Sequence, residues 1–433
     1  MAALIDFPLE YVTCFRPSFS LLSRCNIRYF VNEQSFLKKY WRFFYIAPMV
    51  LIVFVTSMTH MAVLLVNEQM IDFAYLLPLF LVIVHASLKS FVIIPQSSQI
   101  TAIIKELGEL WRTSFTSTQN EEKNKQLRTV NLSNNAIYWV SILGTFQYLS
   151  SPLLETLVRR YILKQDCELL LPIGSSYPFD PSANWFIYLA VYAFQFYTIL
   201  NLILPFRNYH FILFLVGLGI IVLYISVFTL VFAYVGSTLI MITLCALLST
   251  EFTMLTEDLS SVKPIFVQNI DWEGDIKAFV VRHQKLIKLS RQLDEVFNRM
   301  IFLDLLFVGI TTCAFRFAGE FARGLTYTIN NNVAVLSSMS NVLYLCYYGE
   351  RLTRASTRIG DIAYQSQWYN GSKHYMMTIF LIIKISQKPC CLTSLKYATV
   401  SLNLFTKVVS TTWSYFSLLN SVYRDDEMED TSQ

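Results

Sequence analysis

Apolar runs long enough to cross a bilayer recur along this 433-residue chain. An α-helix rises 1.5 Å per residue, so about 20 apolar residues span the hydrocarbon layer. No water is available there to satisfy the backbone, which leaves helices or closed barrels as spanning structures. Continuous runs of this length indicate helices. The clear ones are residues 43–66, 73–95, 136–158, 302–325, 333–349 and 394–423. Composition agrees, with 54% hydrophobic and 15% charged residues, where soluble domains carry about 25% charged. The predicted class is all-α and polytopic.

Residues 185–252 need separate treatment. They hold a single polar break, PFRNYH at 205–210, and exceed what one span uses even when tilted. The flanking loops must lie on opposite sides if the charge asymmetry below holds, so an odd number of spans is required. We take one span built from the two ends of the region, with an insertion near 199–226. That gives seven transmembrane helices.

Orientation follows from Lys/Arg asymmetry. With the N-terminus cytosolic, segments 1–45, 96–134, 254–299 and 350–374 carry 22 Lys/Arg, and the outer segments carry 4. The C-terminus is then extracellular. Both Asn-x-Ser/Thr sequons, at Asn131 and Asn370, fall on the cytosolic side and stay unused. The opening MAALIDFPLEYV, with Asp6 and Glu10, has no basic lead into an apolar stretch, so no cleavable signal peptide is expected.

The expected organisation is a cytosolic preface and spans one to four over 1–253, then a cytosolic amphipathic helix over 254–299. Spans five and six and a short cytosolic helix occupy 300–390, a long last helix 391–424, and an acidic tail 425–433. Within 254–299 the apolar positions Phe279, Leu286, Leu289, Leu293 and Val296 or Phe297 recur at helical spacing. TYTINNN at 326–332 is expected as the turn between spans five and six, and the polar stretch within 96–134 as a loop capping two helical extensions.

The last helix has two unlike faces. Lys407, Thr411, Ser414, Leu418 and Val422 share one stripe; Val409, Trp413, Phe416 and Tyr423 lie opposite. Small hydroxyls on a spanning helix suit either a wet interface or close approach of a neighbour. The eight cysteines form no CxxC or metal-ligand spacing, and His283 has no partner at ligand spacing, so all are expected as packing residues. No metal, cofactor, phosphate-loop or nucleophile motif is present, and no compact basic block suggests nucleic acid.

The segment SQKPCCLTSLKYATVSLNLFTKVVSTTWSYFSLLNSVY resembles the C-terminal part of the insect odorant receptors. The shared features are SQKP at 386–389, Leu392 and Thr393, Lys396, and SYFSLL at 414–419, with YLCYYGE at 344–350 and the helix around Arg282 and His283. The likeness is strong over the last 170 residues or so and looser elsewhere.

This resemblance implies an odorant-gated, non-selective cation channel, a ligand-tuned subunit that assembles with a co-receptor in a tetramer. Its last helix would line the pore, with gate residues Leu418 and Val422 and a pore face of Lys407, Thr411 and Ser414. The implied odorant pocket lies in the outer half of spans two, three, four and six. Depth places Tyr75, Leu79, Tyr138, Ile142, Phe146, Tyr192, Leu336 and Met339 there. Partners would be a volatile small molecule, the co-receptor, membrane lipid and permeant cations. The location would be the plasma membrane, expected in the olfactory neuron dendrite. The chain departs from the family in its long fourth-span region and in Lys407, whose cationic side chain opposes cation passage. A G-protein-coupled receptor or a gustatory-type channel is the alternative; the first requires the opposite orientation, and the chain lacks its Asp-Arg-Tyr after span three.

Overall fold

The computed structural model describes residues 7–24, 51, 54–55, 57–67, 70–113, 117–162, 164, 186, 188, 218–261, 272–320 and 325–430. The helices are α1 (Leu9–Arg24), α2 (Ser57–Val66), α3 (Met70–Ile93), α4 (Ser97–Leu110), α5 (Ser117–Leu157), α6 (Leu218–Ser261), α7 (Trp272–Glu320), α8 (Leu325–Gln365), α9 (Lys373–Ser386) and α10 (Leu402–Asp430). A two-stranded antiparallel hairpin, β1 (Thr393–Ser394) and β2 (Ala398–Thr399), precedes α10.

Several predicted loops are continuous helix. Of the expected amphipathic segment 254–299, residues up to Ser261 continue α6 and 272–299 run on into span five as the single 49-residue helix α7, along which the expected apolar face, Phe279 to Phe297, is buried. TYTINNN is not a turn. It lies in the first two turns of α8, and the connection falls within 321–324, outside the described residues. Asparagine is a poor helix former, but here Asn330 and Asn331 are buried, and Asn330 bonds Ser151 across to α5. Tertiary contacts override the local preference. Likewise α5 starts at Ser117, so most of the polar stretch before span three is helical.

The core is built around α6, where an 18-residue apolar window within Ala233–Ser260 is 94% buried. It packs against α1, α3, α5, α7 and α8. Helix α6 already begins at Leu218, so residues 218–226 continue it; the remainder of the proposed insertion, 199–217, lies outside the described residues. Residues 9–24, expected as a mere preface, form a core element. Tyr11, Phe15 and Leu22 are buried, and Leu22 lies so close to Gly236 of α6 that an added Cβ would sit 2.7 Å from it. Glu10 accepts from Trp111 Nε1 at 2.8 Å and pairs with Lys123, while Tyr11 donates to the Ile104 carbonyl at 2.6 Å. Arg282 and the buried Glu251 pair at 2.5 Å, as do Arg112 and Asp258.

Among the described residues three helices are apolar enough throughout a bilayer-length window to span a membrane: Leu76–Ile93 of α3, Ala233–Ser260 of α6 and Ile276–Glu320 of α7. Helices α5, α8 and α10 have the length but alternate apolar and polar stretches.

Candidate pore helix and ligand-facing bundle

The last helix, expected from 391 or 394, begins only at Leu402. Pro389 follows the end of α9, and the chain then turns back on itself. Leu395 and Lys396 adopt positive φ, 47° and 64°, at the tip of the hairpin. That conformation is costly for a residue with a side chain, about 1–2 kcal/mol each, and persists only where its surroundings dictate it. Here Asp294 of α7 dictates it. One carboxylate oxygen accepts from the Thr393 backbone N–H at 2.6 Å and its hydroxyl at 2.7 Å; the other pairs with the Lys396 ammonium. Gly349 of α8 admits Val400, which would lie 2.8 Å from a Cβ placed there. Glu350 accepts from the Leu402 N–H at 2.8 Å and so caps the first turn of α10. The motif residues of the sequence reading, Glu350 of YLCYYGE among them, thus anchor the foot of α10, but the partner Asp294, 102 residues before Lys396, was missed.

Above that foot α10 is held along one narrow stripe. Phe405 packs against the core, Thr412 and Phe416 are buried, and the helix rests on α7 and α8. Thr412 Oγ1 lies 3.4 Å from where a Cβ on Gly309 would be, and the Arg316 guanidinium lies 5.2 Å from the Phe416 ring centroid. Lys407, Thr411 and Ser414 are exposed, and Leu418 is 59% exposed. Val422 lies one turn beyond in the same helix, its side chain outside the described part. At 100° per residue this face is about 140° round from the seat. Of the bulky stripe Phe416 is buried and Val409 and Trp413 are exposed; the side chain of Tyr423 lies outside the described part.

The predicted pocket residues divide. Ile142 is buried, and Tyr138 and Met339 pack at the margin of the core, where α5 meets α8. Leu79 on α3 is half-buried. Phe146 is exposed and Leu336 is 67% exposed. Tyr75 lies on α3, its side chain outside the described part, and Tyr192 lies outside the described residues. Polar groups unmarked in the sequence reading join these helices: at the α5–α8 seam Gln147 Nε2 donates to Asn330 Oδ1 at 3.3 Å, and between α7 and α8 the Thr312 and Ser338 hydroxyls lie 3.1 Å apart. Their signal was present as isolated amides and hydroxyls inside apolar runs. Among the described residues the free cysteines are buried or half-buried, and His283 packs edge-on to Phe252. No group of three or more metal-ligating side chains occurs among them.

The model of the 7tm odorant receptor family matches residues 69–221 and 207–413, well over half of the chain. The chain belongs to that family. It is a membrane receptor of olfaction by family, not an enzyme. Odorant receptor 13a of Drosophila melanogaster is 30% identical over 167 residues, 35% of this chain and 40% of that protein. Odorant receptor 67c of the same fly is 29% identical over 144 residues, 33% of this chain and 35% of the relative. The odorant receptor coreceptor of Ooceraea biroi is 27% identical over 145 residues, 33% and 30% of the two chains. The alignments span less than half of these relatives' lengths. The receptor also shares its fold with the insect olfactory receptor OR5 from Machilis hrabei in complex with eugenol. The TM-score is 0.68 at 13% identity, covering 95% of this chain and 100% of that one. The helical membrane fold expected from the sequence is the fold found.

Proposed function

We propose that this receptor is a ligand-tuned subunit of an odorant-gated, non-selective cation channel, with α10 contributing one quarter of a central pore. The observation that carries the reading is the seating of α10. Its narrow buried stripe leaves the Lys407, Thr411, Ser414 and Leu418 face exposed among the described residues. A face of small hydroxyls ending in aliphatic side chains suits a water path that closes by dewetting at Leu418 and Val422. Similarity to coreceptors supports assembly with such a subunit, and eugenol in the Machilis receptor supports a small volatile ligand. The α5–α8 seam supplies aromatic and aliphatic walls with a few amides, the composition expected of a small-molecule site. The subunit would lie in the plasma membrane of an olfactory dendrite with its N-terminus cytosolic.

The test is expression with and without a coreceptor, recording current against volatile esters, alcohols and terpenes. L418S and V422S are expected to raise resting leak, because a hydroxyl wets the constriction. If both variants leave resting and evoked currents as in wild type, the gate assignment fails. Evoked second-messenger signalling without coreceptor-dependent current would favour the G-protein-coupled alternative.

A further inference from the structure

A lysine, a histidine and an aspartate meet deep in the bundle, away from both pore face and pocket. Lys89 and His85 lie on α3 and Asp304 on α7, at 1%, 4% and 3% exposure. The Lys89 ammonium donates to both Asp304 oxygens at 2.8 and 2.9 Å, and to Thr238 Oγ1 of α6 at 2.5 Å. His85 Nε2 lies 3.1 Å from Asp304 Oδ1, so that nitrogen is the donor. Tyr234 of α6 offers its ring face to Lys89 at 4.0 Å. The His85 ring stacks on Phe307 of α7 and meets Tyr234 edge-on. Three helices are therefore tied at one point, in the part of α3 that runs toward the cytosol. Charged side chains are expensive inside a membrane and are kept there for a role.

The position of the tie suggests the role. Toward its other end α3 carries Tyr75 and Leu79 of the proposed pocket. Gly309, against which Thr412 of α10 rests, is five residues along α7 from Asp304, about one and a half turns. Magnitudes decide how such a tie acts. Separating one member leaves an uncompensated buried charge, which costs roughly a thousandfold in equilibrium. Coupling between two sites typically amounts to about 5- to 150-fold. A ligand of ordinary coupling strength cannot open the pair, so the pair stays closed in both states.

We propose that Lys89, His85 and Asp304 form a rigid strut that makes α3 and α7 move as one unit, carrying displacement at the pocket to the seat of α10. These are positioning residues, and the proposal rests on the odorant-gated channel reading above.

The experiment compares K89M, D304N and the apolar double variant K89M/D304L, each co-expressed with a coreceptor. Maximal current and half-maximal concentration are measured for a fixed blend of eugenol, hexyl acetate, 1-octanol and linalool, normalised to surface-biotinylated receptor. Apolar replacement of a buried ion pair is commonly tolerated, so the double variant is expected at the surface in wild-type numbers. It should nevertheless lose about fivefold in maximal current per surface receptor and need more ligand, a size typical of broken coupling. Should the single variants stay inside the cell, the double variant decides alone. Wild-type current per surface receptor in the double variant overturns the strut while leaving the channel reading intact. A silent wild type overturns the channel reading and the strut with it.

Discussion

Asp294 uses both carboxylate oxygens to satisfy three donors of the hairpin. D294A leaves the Thr393 N–H without its acceptor and removes the reason for two positive-φ residues to stay so, a loss of about 3 kcal/mol. Thermal melting of detergent-solubilised receptor should show the drop, while K396M should lose less, because its exposed ammonium forms a weak pair. Gly349 supplies a second handle. G349A pushes a methyl into Val400 and should destabilise by about 1–3 kcal/mol, with V400A in the same chain restoring much of it. Glu350 adds a pH dependence. The Leu402 N–H, with Arg354 beside it, holds its carboxyl below the ordinary carboxylate range. Its folded-state value is depressed, so its contribution is complete above the unfolded value of about 4.3 and is lost as pH falls through the depressed one. E350Q should flatten that limb of a melting-temperature titration and leave neutral pH little changed. Lys396 and the Gly-Glu of YLCYYGE were legible as motif residues. Their partners were not, because a contact 102 residues distant leaves no trace in local spacing. Lys89 and Asp304 could have been flagged, since each interrupts an apolar run.

Helices were legible where periodicity was strong and illegible where polarity interrupted it. The face from Phe279 to Phe297 is buried as the pattern required. The 326–332 stretch and the polar start of α5 looked like loops, because exposed or specifically bonded polar residues break a hydrophobic pattern without breaking a helix. The hairpin escaped notice for the opposite reason: Leu395 and Lys396 occupy turn positions that ordinarily advertise themselves with Gly or Asn. Helix α10 makes the prediction at this scale. Single cysteines at Lys407, Thr411, Ser414 and Leu418 should react with a charged thiol reagent during evoked current and change it. Cysteines at Thr412 and Phe416 should not react while the seat is intact. Uniform reactivity round the helix would show that the seat on α7 and α8 does not hold in the assembled channel.

At the scale of the whole chain, charge asymmetry and the two sequons give opposed signals for orientation. Lys and Arg number 22 in the segments taken as cytosolic and 4 in the outer ones. Each misplaced cation costs transfer against the membrane's own bias, so a contrast of that size outweighs two short sequons. The fold brings these segments together at one end. The hydrophilic ends of α5, α7 and α8 gather with α1, α4, α9 and the hairpin, joined by ion pairs such as Glu10–Lys123, Glu251–Arg282 and Lys396–Asp294. This end carries the basic segments, and both termini of α9 lie beside it. Asn131 sits within α5 and Asn370 in the short 3-10 turn before α9, both in segments counted as cytosolic. The receptor is therefore expected to show no mobility shift on glycosidase treatment. An antibody should reach a tag after Gln433 on intact cells and reach one before Met1 only after permeabilisation. Glycan at Asn370 would reverse the orientation and, with it, place Leu418 and Val422 at the cytosolic mouth instead of the outer one.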